Sequence, residues 1–299
     1  DVARILCKTH DELAVTDIAD HALEALKNSK IRNVYILGRR GPAQAAFTPP
    51  EIKELGEFDD ADVTVSLSEA EVDEASRTLI QDNKNALKNV EYIDEYANRP
   101  FGTKSRLLTI RFLVSPIEVL GEGGKVEGLT VVKNKLVQNE DGSVRPVASD
   151  ETETIPAGLI FRSVGYKGKP LPGIPYHEGS GTIMNEAGRI IESDGSPVAG
   201  LYTAGWIKRG PSGVIGTNKT CAQETVAFMV EDLEAGRINQ PEDPTIAGAE
   251  ELTKNCGKQV ISYPEWKKID DSELAKGEAE GRPRVKYTDL AEMVGIAKS

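Results

Sequence analysis

The feature that most constrains the fold is a short apolar run between two helical patterns. Residues Val34 to Leu37 are apolar and β-rich, and the run ends at Gly38. Ahead of it, apolar residues from Ile18 to Leu26 recur at helical spacing, and a second helix is predicted to begin at Thr48. Helix, buried strand, glycine turn and helix in this order are typical of a parallel sheet, so we predict an α/β fold.

Length and composition limit the class of protein. The chain has 299 residues, which favours two domains at roughly 150 residues each. Its 36 Lys and Arg against 48 Asp and Glu give a net charge of −12, which argues against nucleic-acid binding by phosphate neutralisation. No apolar run approaches the ~20 residues of a membrane span. The three cysteines form no CxxC pair, so we expect a reducing, cytoplasmic setting and no structural zinc.

Two consecutive arginines, Arg39 and Arg40, follow the predicted strand at its carboxyl end. In a dinucleotide-binding βαβ unit, the residue after the second strand meets the adenosine ribose, where an acidic side chain selects NAD and arginine accepts a 2′-phosphate. Guanidinium groups form bidentate, charge-assisted bonds with phosphate. The turn is therefore a candidate NADP site, with a solvated basic turn as the alternative. The opening DVARIL segment fits the first hypothesis, because such a helix follows a glycine-rich phosphate loop.

Glu51 has two candidate roles. In the string Thr48-Pro-Pro-Glu51, Thr48 suits the N-cap of a helix and Glu51 completes a capping box, which requires no further function. Its nearness in sequence to the Arg39-Arg40 turn makes it also a candidate for the nucleotide site.

A glycine-rich loop in the last third of the chain is the second candidate binding element. A strand-like segment from Gly200 leads to Trp206, the string WIKRGPSGVIGTNK and a predicted helix to about Gly236. Backbone N–H groups at a helix N-terminus favour an anionic ligand or an electron-rich ring, and Trp206 could stack on a planar group. A flexible surface loop capped by Thr217 or Asn218 is the alternative.

Between these elements the pattern changes from helices to hairpins. A long charged helix is expected from about Glu69 to Tyr96. β-rich segments follow from Leu107 to Val137, with turn signals at Gly123-Gly124 and Asp141-Gly142, and they predict an antiparallel flap on a nucleotide-binding sheet. A run dense in Gly and Pro, Gly165 to Gly181, predicts the domain boundary.

Four strings together resemble the adrenodoxin-reductase-like ferredoxin–NADP reductases: ILGRRGPAQAAFTPPEIKEL, IRFLVSPIEVLG, LIFRSVGYKGKPLPGIPY and LYTAGWIKRGPSGVIGTNKTCAQETV. The tail, VISYPEWKKID and GRPRVKYTDLAEM, is similar to that family's C-terminus, so the resemblance covers the whole chain. It implies two Rossmann-like domains, with the NADP domain inserted into the FAD domain. Residues 1–163 would then be most of the NADP-binding domain, including the flap, and 164–299 the C-terminal part of the FAD-binding domain.

The resemblance implies an NADP site by motif. Arg39 and Arg40 would hold the 2′-phosphate of NADP. Glu51 would lie near the nicotinamide end of the bound cofactor, where it is the candidate catalytic residue. Gly213 would also lie near the nicotinamide.

The resemblance likewise implies an FAD site and an activity. Trp206 and the backbone of Gly213, Val214 and Ile215 would contact FAD. The implied reaction is hydride transfer from NADPH to FAD, followed by single-electron transfers to a ferredoxin- or adrenodoxin-type iron–sulfur protein. The family's partners are usually acidic, so local cations could form a docking face on this acidic chain: Lys208 and Arg209, or Arg282, Arg284 and Lys286.

The sequence departs from the family at its start. The family's N-terminal FAD glycine motif and NADP phosphate loop, about 100–150 residues, have no counterpart here. The chain opens with Asp1 rather than Met, directly into a helical segment. We therefore expect an N-terminal FAD-binding segment on another chain or missing from this one. Two other functions stay open: a reductase subunit similar to the small subunit of glutamate synthase, and a non-catalytic NADP-binding fragment.

Overall fold

The chain divides into two compact units. The computed structural model describes residues 1–213, 215–257 and 259–299. The first unit contains Asp1–Ile160 together with Ile261–Ser299, and the second contains Phe161–Val260. The division into compact units does not test which nucleotide each unit binds, so the assignment of 1–163 to NADP and 164–299 to FAD stays a prediction.

Helices and strands alternate in the first part of the chain, and further along they occur in longer runs of helices or of strands. The helices are α1 Val2–Cys7, α2 His10–Ala14, α3 Asp20–Lys27, α4 Pro49–Leu55, α5 Leu67–Ala70, α6 Glu74–Ile80, α7 Lys84–Asn98, α8 Trp206–Arg209, α9 Ile215–Glu234, α10 Ile246–Asn255, α11 Tyr263–Glu280 and α12 Leu290–Lys298. The strands are β1 Asn33–Leu37, β2 Ala61–Val65, β3 Arg106–Arg111, β4 Val114–Glu122, β5 Lys125–Gln138, β6 Val144–Pro156, β7 Tyr176–His177, β8 Thr182–Ile183, β9 Asn185–Glu186, β10 Arg189–Ile191 and β11 Pro197–Tyr202.

A three-stranded parallel sheet forms the core of the first unit. Its order is β1-β3-β2, and β1 pairs with β3 from Asn33 opposite Leu107 to Leu37 opposite Arg111. Every residue of β2 is buried, because helices cover both faces of a parallel sheet. Ile52 of α4 and Ile93 of α7 are fully buried in the same cluster. The predicted α/β fold, with Val34 to Leu37 as a parallel strand, is confirmed.

The predicted antiparallel flap is confirmed as the sheet β4-β5-β6. Gly123 and Gly124 have φ of +59° and +78°, in the left-handed region that a tight turn between β4 and β5 requires. The β-rich segment from Leu107 is shared between the two sheets, because its first part, β3, pairs with β1 and β2. The flap therefore starts at Val114, directly after the central strand of the parallel sheet.

The prediction of a single long helix from Glu69 to Tyr96 is wrong. The segment forms three helices, α5, α6 and α7. Asp73 accepts a hydrogen bond from the backbone N–H of Ser76 at 2.9 Å, and Asn83 accepts one from that of Ala86 at 3.1 Å. Both side chains act as N-caps and begin a new helix, which interrupts the charged pattern.

The second unit joins short antiparallel strands to one long helix. β11 leads through Gly205 to α8 and then α9, which confirms the predicted strand, glycine loop and helix. α9 begins at Ile215, so Thr217 and Asn218 lie in its first turn and not at its cap. None of the helices within the described residues is long and apolar enough to cross a membrane.

A network of charged side chains connects the C-terminal end of α9 to the strands of the second unit. The Arg189 guanidinium lies 2.8 Å from the carboxylate of Asp232, and the Tyr202 hydroxyl donates to the same carboxylate at 2.8 Å. Arg189 holds the pKa of Asp232 well below its ordinary value. This network stabilises the helix whose N-terminal end follows the glycine loop.

Candidate nucleotide-binding site

The two arginines predicted to bind phosphate lie in the turn after β1, at the carboxyl edge of the parallel sheet. The side chains of Arg39 and Arg40 are exposed. Arg40 donates one long hydrogen bond, 3.4 Å, to the carbonyl oxygen of Gln44, and the Arg39 guanidinium has no partner among the residues the structure describes. Ligands of open α/β sheets bind at this edge. Two exposed guanidiniums at such a position fit the charge and the donor requirements of a 2′-phosphate.

The backbone of the arginine turn is fixed by the last residue of β3 and by the residues that follow it. Gly38 donates its N–H to the carbonyl oxygen of Arg111 at 2.8 Å and accepts at its own carbonyl from Val114 at 3.1 Å. The N–H of Leu113 donates to the carbonyl oxygen of Arg40, also at 3.1 Å. Because these bonds order the turn before any ligand arrives, binding there costs less conformational entropy.

Glu51 lies in the first turn of α4 and closes the predicted capping box. Its Oε2 accepts hydrogen bonds from the backbone N–H and from the hydroxyl of Thr48, both at 2.8 Å. The bond from the Thr48 backbone N–H is the larger cause of a lowered pKa of the Glu51 carboxyl, and the bond from the Thr48 hydroxyl adds to it. Glu51 also lines an open cavity of about 150 Å³, with Ile36 and Phe47. The capping role is confirmed, and the role near the nicotinamide stays a prediction.

The two roles of Glu51 are separable by experiment. Replacement Glu51→Ala is expected to lower the free energy of unfolding by ~1 kcal/mol, since it removes a capping interaction. In the flavin-loaded protein we also expect turnover with NADPH to fall about tenfold. Thr48→Ala is the matched control, because it removes the hydroxyl partner and leaves the carboxylate in place. If Glu51→Ala and Thr48→Ala have equal turnover and lose equal stability, the only role of Glu51 is to cap the helix.

The glycine loop of the second unit presents an aromatic pair. Trp206, the first residue of α8, is 48% exposed, and its ring stacks on that of Tyr166 with centroids 5.9 Å apart. Gly205 and Gly213 have φ of +74° and +81°. A Cβ on Gly213 would lie 2.6 Å from the Thr217 hydroxyl oxygen, so a larger residue would disturb both the turn and the start of α9.

This loop fits a planar, electron-rich ligand. An exposed indole offers a stacking surface, and α9, with 20 residues, directs the positive end of its dipole toward the loop. Gly213 and Ile215 lie at this end of α9, and Trp206 begins α8, the short helix that precedes α9 along the chain. Val214, the fourth residue predicted to contact FAD, lies outside the described residues. The assignment of all four to FAD stays a prediction.

The cations of the WIKRG string are less available than the sequence indicates. The Lys208 side chain is only 6% exposed, and its Nζ lies 2.5 Å from the carboxylate of Glu224. Arg209 donates to the side-chain oxygen of Asn218 at 2.7 Å. Lys208 therefore cannot offer an exposed ammonium to an acidic partner, and this part of the expected docking face is wrong.

Sequence reasoning missed a residue of the flap that reaches the arginine turn. Asn134 of β5 is 7% exposed and donates from Nδ2 to the carbonyl oxygen of Arg39 at 2.8 Å. Asparagine is depleted in strands, so its presence in the β-rich string VVKNKLV is the signal that was available. The structure thus adds the flap to the elements that shape the candidate phosphate site.

Known proteins resemble this chain over its whole length. The NADPH-ferredoxin reductase FprA of Mycobacterium tuberculosis is 44% identical over 303 residues, an alignment that covers 99% of this chain and 64% of the relative. The mitochondrial NADPH:adrenodoxin oxidoreductase of Mus musculus is 34% identical over 307 residues, with 99% of this chain and 60% of the relative covered. No protein-family model matches the chain.

A solved structure of Mycobacterium tuberculosis FprA in complex with NADPH superposes with a TM-score of 0.88 at 40% identity, covering 100% of this chain and 65% of that one. The chain therefore spans somewhat less than two thirds of the length of these relatives. The resemblance drawn from the sequence strings is confirmed: this chain is a homologue of an NADPH-ferredoxin reductase and of an NADPH:adrenodoxin oxidoreductase.

Proposed function

We propose that this chain works in a flavoprotein oxidoreductase that moves electrons between NADPH and a ferredoxin- or adrenodoxin-type iron–sulfur protein. The observation that carries the proposal is the pair of exposed guanidiniums, Arg39 and Arg40, on an ordered turn at the carboxyl edge of a parallel sheet. The names of the relatives support it, since they are an NADPH-ferredoxin reductase and an NADPH:adrenodoxin oxidoreductase.

The residues of the chain would bind and orient two cofactors, FAD and NADPH. When bound, these cofactors supply the hydride and single-electron chemistry. Arg39 and Arg40 would hold the 2′-phosphate and so select NADPH over NADH. Glu51 would lie near the nicotinamide, and the resemblance implies the same for the backbone of Gly213.

The glycine loop of the second unit would serve the flavin. The Trp206 ring would stack on a planar part of FAD, and the N-terminus of α9 would stabilise the negative charge that builds up on reduction. The described backbone there, Gly213 and Ile215, has the conformational freedom and the helical start that close approach requires. The three cysteines are free thiols, which favours a reducing cytoplasmic setting for this chemistry.

The proposal is tested with the purified protein in which this chain is combined with the expected N-terminal FAD-binding segment, loaded with FAD. Mixed anaerobically with NADPH in a stopped-flow instrument, the flavin absorbance is expected to bleach, and to bleach more slowly with NADH. Addition of an oxidised ferredoxin should then restore the flavin absorbance. Nucleotide binding without flavin reduction would favour the non-catalytic NADP-binding alternative and contradict the proposed reaction. Bleaching without electron delivery to ferredoxin would favour a reductase subunit of a larger complex, as in glutamate synthase.

A further inference from the structure

One buried amide of the flap is bonded to the backbone between the two arginines. Asn134 donates from Nδ2 to the carbonyl oxygen of Arg39 and to the hydroxyl oxygen of Ser115, each at 2.8 Å. Both amide N–H donors are therefore used. Because the side chain is nearly buried, losing either bond leaves a polar group without water to replace the partner.

The backbone around Asn134 supports the same contact. Its N–H donates to the carbonyl oxygen of Leu113 at 2.7 Å, and the N–H of Leu113 donates to the carbonyl oxygen of Arg40. Leu113 has φ of +56°, a left-handed conformation that is unfavourable for a residue with a Cβ. Such a conformation persists where surrounding bonds enforce it, and here those bonds join the flap to the arginine turn.

The hydrogen bond from Asn134 affects the orientation of the two arginine side chains and not their charge. The Arg39 carbonyl belongs to the peptide that joins the two arginines, so its orientation sets the plane from which both side chains project. The guanidiniums themselves are exposed, and the hydrogen bonds of the Asn134 amide go to the Arg39 carbonyl and to Ser115. A change at Asn134 would leave both charges on the protein and alter only how well they converge on one phosphate.

We propose that Asn134 is a positioning residue for nucleotide specificity, which holds the Arg39–Arg40 peptide so that both guanidiniums meet the 2′-phosphate of NADP(H). The inference rests on the proposed function, because it assumes that this turn binds a 2′-phosphate. It adds that the flap, 95 residues away in sequence, takes part in choosing the nucleotide.

The test compares two nucleotides that differ only in the 2′-phosphate. Adenosine 2′,5′-bisphosphate and adenosine 5′-monophosphate are titrated into the full chain by isothermal calorimetry. Asn134→Ala is expected to weaken the bisphosphate about five- to tenfold and to change the monophosphate less than about twofold. Asn134→Asp keeps the size and places an acceptor against the Arg39 carbonyl, so it should weaken the bisphosphate further. Circular dichroism establishes which variants are folded.

Ser115→Ala is the matched control, since it removes the other partner of the same amide and keeps the bond to Arg39. It should retain the preference for the bisphosphate within about twofold. If the wild-type chain shows no preference, the proposed function fails together with this inference. If the wild-type chain prefers the bisphosphate and folded Asn134→Ala or Asn134→Asp keeps that preference, the inference alone is overturned. Equal weakening of both nucleotides would also overturn it, because general loosening of the fold would then be the cause.

Discussion

Replacement of both arginines, Arg39→Ala with Arg40→Ala, is expected to lower the ratio of kcat/KM for NADPH to kcat/KM for NADH by about 100- to 10,000-fold. A hydrogen bond to a charged group contributes ~1.5–3 kcal/mol, and each 1.4 kcal/mol corresponds to about a factor of ten. The kcat/KM for NADH should stay close to its wild-type value, because NADH carries no 2′-phosphate. Steady-state kinetics of the flavin-loaded protein with both nucleotides measure the ratio.

The single variants should differ from each other. The Arg39 guanidinium has no partner within the described part of the chain, whereas that of Arg40 gives up its bond to the Gln44 carbonyl when it turns to a phosphate. We therefore expect Arg39→Ala to lower the ratio more. Arg32→Ala is the matched control, since it removes the same charge from the opposite end of β1. If the double variant of Arg39→Ala and Arg40→Ala leaves the ratio unchanged, the turn does not bind the 2′-phosphate.

The local parts of this site could be predicted from the sequence. β1 ends where Gly38 interrupts an apolar run, and Thr48 with Glu51 forms the capping box that its spacing indicates. Both features depend on residues within a few positions of each other, so turn and cap preferences describe them well. The same preferences, applied to Asp73 and Asn83, would have divided the long helix that the charge pattern alone suggested.

The long-range parts could not be predicted in this way. Asn134 meets Arg39 only because β3 is central to the parallel sheet and leads directly into the flap. The Lys208 ammonium pairs with Glu224, one helix further along the chain. Charge and motif indicate which groups a chain has, whereas exposure is decided by packing between distant segments.

A partly buried ion-pair network next to the site connects three elements of the first unit. Arg111, the last residue of β3, is 12% exposed, and its Nη2 lies 2.8 Å from Glu69 of α5 and 2.9 Å from Glu153 of β6. Glu69 also accepts from the backbone N–H of Phe112 at 2.9 Å. The carbonyl of Arg111 holds Gly38, so this network stabilises the edge at which the arginine turn lies.

Arg111→Met is expected to lower the free energy of unfolding of the first unit by about 3 kcal/mol. Methionine keeps most of the side-chain volume but leaves two carboxylates without their cation, those of Glu69, which is 15% exposed, and Glu153. Lys133→Met is the matched control: it removes a flap cation whose pair with Glu151 is largely exposed, so the loss should stay below about 1 kcal/mol. Urea unfolding followed by fluorescence in a Trp206→Phe background reports on the first unit through Trp266.

The pH dependence separates loss of the ion pair from loss of packing. Arg111 lowers the pKa of the Glu153 carboxyl, so the pair stabilises the fold fully above the ordinary glutamate pKa, about 4.3, and progressively less as the pH falls through the lowered value. The difference in unfolding free energy between wild type and Arg111→Met should therefore narrow below about pH 4. A difference that is as large in acid as at neutral pH would mean that the variant disturbs packing, because a packing defect does not depend on protonation of Glu153.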